Sequence, residues 1–256
     1  NVGYVIEPFI QGAFSPNPAR RHSSLLLIGD IVEFLHQKLE GVDLYSRYPA
    51  LFVALYITKN DSDGDVRIIS SNIFKTYISN VQKCLRRIHP ELIDLILSLL
   101  DKDNDFLRGM ASNGLKEFTQ KYGDTFLREV FAILEKKSSE APAKLSPLIF
   151  ADLYLQFFSK NLLSPERKAV FRGFLDARVE DPVRTIRLQA LRTLRTLVDV
   201  SGDWRPAGTQ ATHAARRLDQ MSSEDPEAEV LVDLLVEYSE SKSEKLADTI
   251  LRESLS

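Results

Sequence analysis

Residues 61–78, DSDGDVRIISSNIFKTYI, hold the pattern that decides the fold. An acidic turn leads to Arg67, and small and apolar residues follow at the three- and four-residue spacing of an amphipathic helix. Asp side chains before such a run accept hydrogen bonds from the free N–H groups of a first helical turn. The stretch therefore predicts a capped turn that begins a helix.

The same template recurs along the chain. An acidic or Asn/Pro turn, an Arg and a helix also occur at 15–32 (SPNPARRHSSLLLIGDIV), 101–118 (DKDNDFLRGMASNGLKEF) and 179–191 (VEDPVRTIRLQAL). The shared register is set by Arg21, Arg67, Arg108 and Arg187, with Lys144 as a weaker member, at separations of 36 to 46 residues. A two-helix repeat of roughly 40–47 residues is the signature of HEAT and armadillo arrays.

The sequence thus predicts an all-α fold, a right-handed α-solenoid of HEAT repeats. The small residues Ser24, Ser70, Ala111 and Ala190, three positions after the arginines, let each second helix approach its partner. We expect about five helix pairs within an array over 1–202, followed by a divergent helical segment with acidic helices at 203–256. The expected pairs are 3–40, 44–82, 85–122, 124–160 and 165–200.

The recurrent arginines have a structural interpretation and a functional one. Arg21, Arg67, Arg108 and Arg187, here called the arginine ladder, recur with the repeat, so we expect each to pair with a turn carboxylate of an adjoining repeat. The alternative is that they contact a ligand. Periodicity favours the structural role, because a ligand site would not need to follow the repeat length.

Charge is distributed unevenly in a chain of net charge −3. Residues 165–217 hold eleven Lys/Arg against six Asp/Glu, whereas 219–256 hold three against eleven. Three arginines of the basic stretch fall on one helical face, and three more follow; they are Arg184, Arg192, Arg195, Arg205, Arg216 and Arg217. This stripe is a candidate contact for ribosomal RNA or a protein partner. It could equally pack on the acidic segment or be a solvated face.

No pattern in the sequence indicates catalysis. Nucleotide-binding and hydrolase motifs are missing, the four histidines lack metal-ligand spacing, and the Asp-rich turns fail the calcium-loop pattern. Cys84, the lone cysteine, excludes an internal disulfide, and no apolar run is long enough to span a bilayer. We predict a cytoplasmic protein that is not an enzyme, with no cofactor, metal site, small-molecule substrate or membrane contact. The missing initiator Met suggests a fragment.

One stretch carries a more specific resemblance. Residues 49–97 combine Leu55-Tyr56, an Asp turn, Val66-Arg67, Phe74-Lys75, Ser79-Asn80, Leu85-Arg86 and Pro90. In this order the pairs resemble the HEAT-repeat translational activator family called general control nonderepressible protein one. Residues 5–35 and 116–140 are similar to the repeats before and after it.

The resemblance implies a scaffold. Members of that family associate with stalled ribosomes and help to activate the kinase that phosphorylates the alpha subunit of initiation factor two. The resemblance therefore implies the ribosome, through protein or RNA, and other regulatory proteins as partners. The alternative is an unrelated HEAT adaptor, of a nuclear-transport or phosphatase-scaffold type, that binds a protein or peptide.

Overall fold

The computed structural model describes residues 2–158, 163–179 and 181–201, and the segment expected at 203–256 lies outside them. Within these ranges the chain forms helices and no strands, which confirms the all-α prediction. The helices are α1 (Val2–Ala13), α2 (Pro18–Lys38), α3 (Leu44–Arg47), α4 (Pro49–Thr58), α5 (Gly64–Tyr77), α6 (Val81–Leu100), α7 (Asp105–Glu140), α8 (Ser146–Phe157), α9 (Pro165–Asp176) and α10 (Arg184–Ser201).

The chain forms two compact units, residues 1–140 and 141–256. In the first unit, α1 packs on α2, α4 on α5 and α6 on α7, so helices adjacent in sequence form pairs. Neighbouring pairs contact each other in two layers. In one layer α1 packs on α4 and α4 packs on α6, and in the other α2 packs on α5. This pairing is the arrangement that a HEAT-type repeat predicts.

The turns use the predicted chemistry. Asp63 accepts hydrogen bonds from the N–H groups of Asp65 and Val66 at the start of α5, and Asn17 caps α2 in the same way. The four small residues after the arginines are all buried, as expected from the close approach of paired helices; they are Ser24, Ser70, Ala111 and Ala190. Ser70 also donates to the carbonyl of Leu55, joining α5 to α4.

Helix α7 differs from the expected boundaries. The sequence predicted a break between 122 and 124, but α7 continues unbroken for 36 residues from Asp105 to Glu140. Gly123 is buried within the helix, and Phe126 and Leu127 continue the apolar face beyond it. Core burial therefore maintains the helix through a residue of poor helix propensity.

In the second unit, α10 packs against both α8 and α9. Aromatic rings fill the space between α8 and α9: the ring of Phe171 lies 6.1 Å from that of Tyr154 and 5.9 Å from that of Phe158. Ile186, Ala190 and Leu197 of α10 are buried and lie opposite the predicted arginine stripe. Because these three residues are buried, the opposite side of α10 faces outward.

Candidate functional site

Arg21 forms the best-buried ion pair of the described residues. It lies on α2, and its Nε and Nη2 atoms donate to the two carboxylate oxygens of Asp61, each at 2.8 Å. The side chain of Arg21 is 2% exposed and that of Asp61 is not exposed. The ring of Phe106 covers the guanidinium, 4.4 Å from its carbon. Arg21 therefore joins one repeat to the turn of the next.

A second contact recurs at three of the four ladder positions. Nη1 of each arginine donates to the main-chain carbonyl six residues earlier: Arg21 to Ser15 at 2.9 Å, Arg67 to Asp61 at 2.7 Å, and Arg187 to Asp181 at 2.8 Å. Each also reaches the carbonyl five residues earlier. The arginine thus holds the turn that precedes its own helix.

Arg67 and Arg108 depart from the pairing expected between repeats. The bonds of Arg67 run to carbonyl oxygens of its own turn, and Arg108 contacts Asp103 at 3.3 Å and Asp105 at 3.6 Å, also in its own turn. The sequence explains the difference for Arg67. Asp61, the partner of Arg21, stands six residues before Arg67, whereas the equivalent residue six positions before Arg108 is Lys102, which offers Arg67 no carboxylate.

The described residues of the first unit also form a groove between α5 and α7. Its volume is about 790 Å³, and the turn at 59–62 closes one side. Five cationic side chains line it against two acidic ones; they are Lys59, Arg67, Lys75, Lys116 and Lys121, with Asp61 and Glu117. We call this feature the α5–α7 groove. Its charge is opposite in sign to that of the whole chain.

Glu117 organises one wall of the groove. Its carboxylate accepts from Asn60 at 2.7 Å, from Lys121 at 2.9 Å and from Lys59 at 3.0 Å. The ammonium of Lys59 also lies over two aromatic rings, 4.0 Å from the centroid of Tyr56 and 4.4 Å from that of Phe74. Lys59, which joins the end of α4 to α7, is therefore held by the carboxylate of Glu117 and by two aromatic rings.

The same contacts shift two pKa values. Burial lowers the pKa of Lys59, and the attraction of Glu117 opposes that effect. Burial alone would raise the pKa of Glu117, but Lys59 and the hydrogen bonds from Asn60 and Lys121 outweigh it, so this pKa lies below its ordinary value.

The sequence analysis did not predict this groove, although two helical patterns indicate the residues of its walls. Asn113, Lys116, Glu117, Gln120 and Lys121 recur at three- and one-residue steps, which places them on one face of α7. Arg67, Ser71, Phe74 and Lys75 do the same on α5. Only the packing of these helices shows that the two stripes face one cavity.

The structure places part of the predicted arginine stripe on α10. Arg184 and Arg192 are exposed and Arg195 is half-buried, opposite the buried face of the helix. Arg205, Arg216 and Arg217 lie outside the described residues. The stripe as a binding surface stays a prediction.

Among the residues that the structure describes, the other reactive groups do not assemble into a chemical site. Burial raises the pKa of the Cys84 thiol to about 12, so it is protonated at neutral pH. Over the ranges that the structure describes, no three His, Cys, Asp or Glu side chains converge as metal ligands. Nor does any helix there have the length and apolar character needed to cross a membrane.

Comparison with known proteins identifies proteins to which the chain is similar. The chain is 29% identical over 173 residues to the mouse protein named stalled ribosome sensor GCN1, an alignment covering 63% of the chain. It is 25% identical over 215 residues, 75% of the chain, to the Saccharomyces cerevisiae eIF-2-alpha kinase activator GCN1. It is 32% identical over 100 residues, 39% of the chain, to the Dictyostelium discoideum protein of that name.

The chain carries a divergent GCN1-like region. The resemblance proposed from residues 49–97 is thereby confirmed. The GCN1-like region corresponds to 6% of the mouse relative's length and 8% of the yeast relative's. No protein-family model and no solved structure matches the chain.

Proposed function

We propose that this chain is a non-catalytic scaffold segment of a ribosome-associated activator of the eIF2α kinase, acting in the cytoplasm. The observation that carries the proposal is the similarity to proteins named stalled ribosome sensor and eIF-2-alpha kinase activator. The paired helices and the buried Arg21–Asp61 contact support a scaffold role, because they join successive repeats.

The arginine stripe on α10 is the proposed ribosome contact. Arg184, Arg192 and Arg195 share one face of the helix, so they can meet a phosphate surface together. Lys and Arg contacts to nucleic acid release counterions, which makes affinity fall steeply as salt rises. Arg205, Arg216 and Arg217 extend the proposed surface in sequence.

Ribosome co-sedimentation tests the proposal. The wild-type chain is mixed with purified ribosomes at about 50 and about 200 mM salt, beside the triple variant Arg184→Glu/Arg192→Glu/Arg195→Glu. We expect salt-sensitive binding that the triple variant weakens by at least about tenfold. The matched control is Arg20→Glu/Arg86→Glu/Arg128→Glu, which makes the same charge change at exposed positions of other helices.

Two negative results of this experiment would contradict different parts of the proposal. If the wild-type chain does not sediment with ribosomes, the ribosome role is wrong, and the GCN1-like segment is instead an adaptor that binds another protein or peptide. If both triple variants bind alike, ribosome association survives but the stripe on α10 does not carry it.

A further inference from the structure

The α5–α7 groove has the properties of a binding site for a charged, extended ligand. Its lining carries a net positive charge of three, and the carboxylate of Asp61 is already bonded to Arg21 from behind the groove. Lys75 and Lys116, one on each wall, are exposed. An anionic ligand entering between α5 and α7 would therefore meet cations from both sides.

The groove also offers groups that suit a polypeptide. Asn113 and Gln120 are exposed on α7 and seven residues apart, so they lie about 10 Å apart along the helix. A side-chain amide both donates and accepts, which matches the N–H and C=O of a peptide unit. In an extended chain, about 10 Å is the length of three residues.

Apolar side chains complete the lining. Phe74, Ile78 and Val81 contribute to the wall formed by α5 and the start of α6. Phe74 and Ile78 are almost fully buried, so the apolar surface open to a side chain of the ligand is mainly that of Val81, which is half-buried in the same wall. The stretch from Arg67 of α5 to Ile78, which directly follows that helix, is about 16 Å long, and this length accommodates about five extended residues.

RNA fits these observations less well than a peptide. Single-stranded RNA binders present aromatic faces on which bases stack, whereas Phe74 and Tyr122, the aromatic residues in the groove, are buried and half-buried. A short peptide interacts chiefly with local charges, because salt screens charges beyond about 8–10 Å.

We propose that the α5–α7 groove binds an acidic peptide segment of a partner protein in extended form. Lys75 and Lys116 attract its carboxylates, Asn113 and Gln120 pair with its backbone, and the surface at Val81 takes an apolar side chain. The proposal does not depend on ribosome association, since its residues lie in the first unit and the arginine stripe lies in the second.

Fluorescence anisotropy with defined probes tests it. The probe is a fluorescein-labelled nonapeptide of glutamates and aspartates around a central leucine, and its partner is the full chain. We expect saturable binding that weakens as salt rises from about 50 to about 200 mM. Lys75→Glu/Lys116→Glu should weaken binding by about tenfold or more. The neutral variant Lys75→Gln/Lys116→Gln should have an intermediate effect and guards against misfolding.

Three controls make the outcome decisive. Lys38→Glu/Lys136→Glu makes the same charge change on α2 and α7 outside the groove and should change the affinity less than about twofold. A peptide with every acid replaced by its amide should not bind. The proposal is overturned if the acidic peptide does not bind, if both reversal variants behave alike, or if a uridine decanucleotide binds as tightly and competes for the groove.

Discussion

Arg21 and Asp61 show what one buried contact does in a repeat array. Each is nearly or fully shielded from solvent, so removal of one partner leaves a charge that water cannot reach. Truncation of one member of such a pair typically costs about 3–5 kcal/mol, whereas an exposed pair is worth about 0–1 kcal/mol. Burial, rather than the number of bonds, separates this arginine from the others of the ladder.

We therefore predict that Arg21→Ala and Asp61→Ala each lower the free energy of unfolding by about 3–5 kcal/mol. The double replacement Arg21→Ala/Asp61→Ala should cost less than the two single changes together, because it removes both charges. Urea denaturation of the four proteins gives the coupling. Arg108→Ala, whose partners are exposed, is the control at about 0–1 kcal/mol. Equal effects at Arg21 and Arg108 would contradict the structural role of the buried pair.

Asp152 gives a prediction with a defined pH dependence. It is half-buried on α8 and accepts from Thr196 at 2.7 Å and from Gln156 at 2.8 Å. Burial raises its pKa, against the effect of these bonds. The folded state then holds the proton more tightly than the unfolded state, so this group destabilises the fold as pH rises through its raised pKa.

Asp152→Asn should remove that cost. We expect the variant to melt at the same temperature as the wild type or higher at pH 7, with the difference vanishing below the ordinary Asp pKa. Thermal unfolding between about pH 3.5 and pH 7 measures it. Asp30→Asn, at an exposed position, should track the wild type throughout. A variant that is less stable only at pH 7 would show that the charged carboxylate stabilises α8 against α10.

At the scale of the element, α7 offers two glycines in contrasting surroundings. A Cβ built at Gly114 would lie 2.5 Å from Cδ1 of Ile57, a fully buried side chain on α4. A Cβ at Gly109 would meet nothing within 4 Å. The same substitution on one helix therefore separates helix propensity from packing.

We predict that Gly109→Ala raises the free energy of unfolding by about 0.5–1 kcal/mol, because alanine loses less backbone entropy in a helix. Gly114→Ala should lower it by about 1–2 kcal/mol, since Ile57 must move within a packed core. Chemical denaturation of both variants checks the sign. If Gly114→Ala is also stabilising, Ile57 reorients freely and the contact between α4 and α7 is looser than described.

The continuity of α7 also shows where sequence reasoning fails for elements. The caps, the small residues and most helix boundaries follow from local chemistry, and Asp63 and Ser70 lie as the pattern requires. Gly123 and Asp124 have turn-forming character, yet the helix continues because its apolar face remains buried beyond them. Burial against neighbouring helices is a nonlocal term that a sequence window does not contain.

At the scale of the whole molecule, the α5–α7 groove could not be predicted from the sequence, for a similar reason. Its five cations are spread over residues 59–121, where local charge is balanced by carboxylates on other faces. The stripe on α10 was visible because its arginines are adjacent on one helix. A cluster of charges that packing brings together from several helices can be recognised only when the fold is known. Charges aligned on one helix can be recognised from the helical period of the sequence alone.

The division into two compact units leads to a prediction for the whole molecule. The first unit, 1–140, contains three helix pairs and its own buried residues, including Phe52, Phe118 and Leu92. We predict that this unit expressed alone is helical by circular dichroism and unfolds cooperatively in urea. Noncooperative loss of helicity would show that the first unit depends on the second for its stability.

The Arg21–Asp61 contact has a consequence for how such a chain can change length. Repeat arrays commonly grow and shrink by duplication or excision of whole modules, since each module contacts only its neighbours. Here excision of the second repeat would bring the turn of the third beside Arg21 and put Lys102 at the place of Asp61. Two cations would then face each other where water cannot enter. The first module therefore accepts only a successor with a carboxylate at this turn position, as Asp61 and Asp181 provide, so chemistry as well as the gene restricts the order of modules.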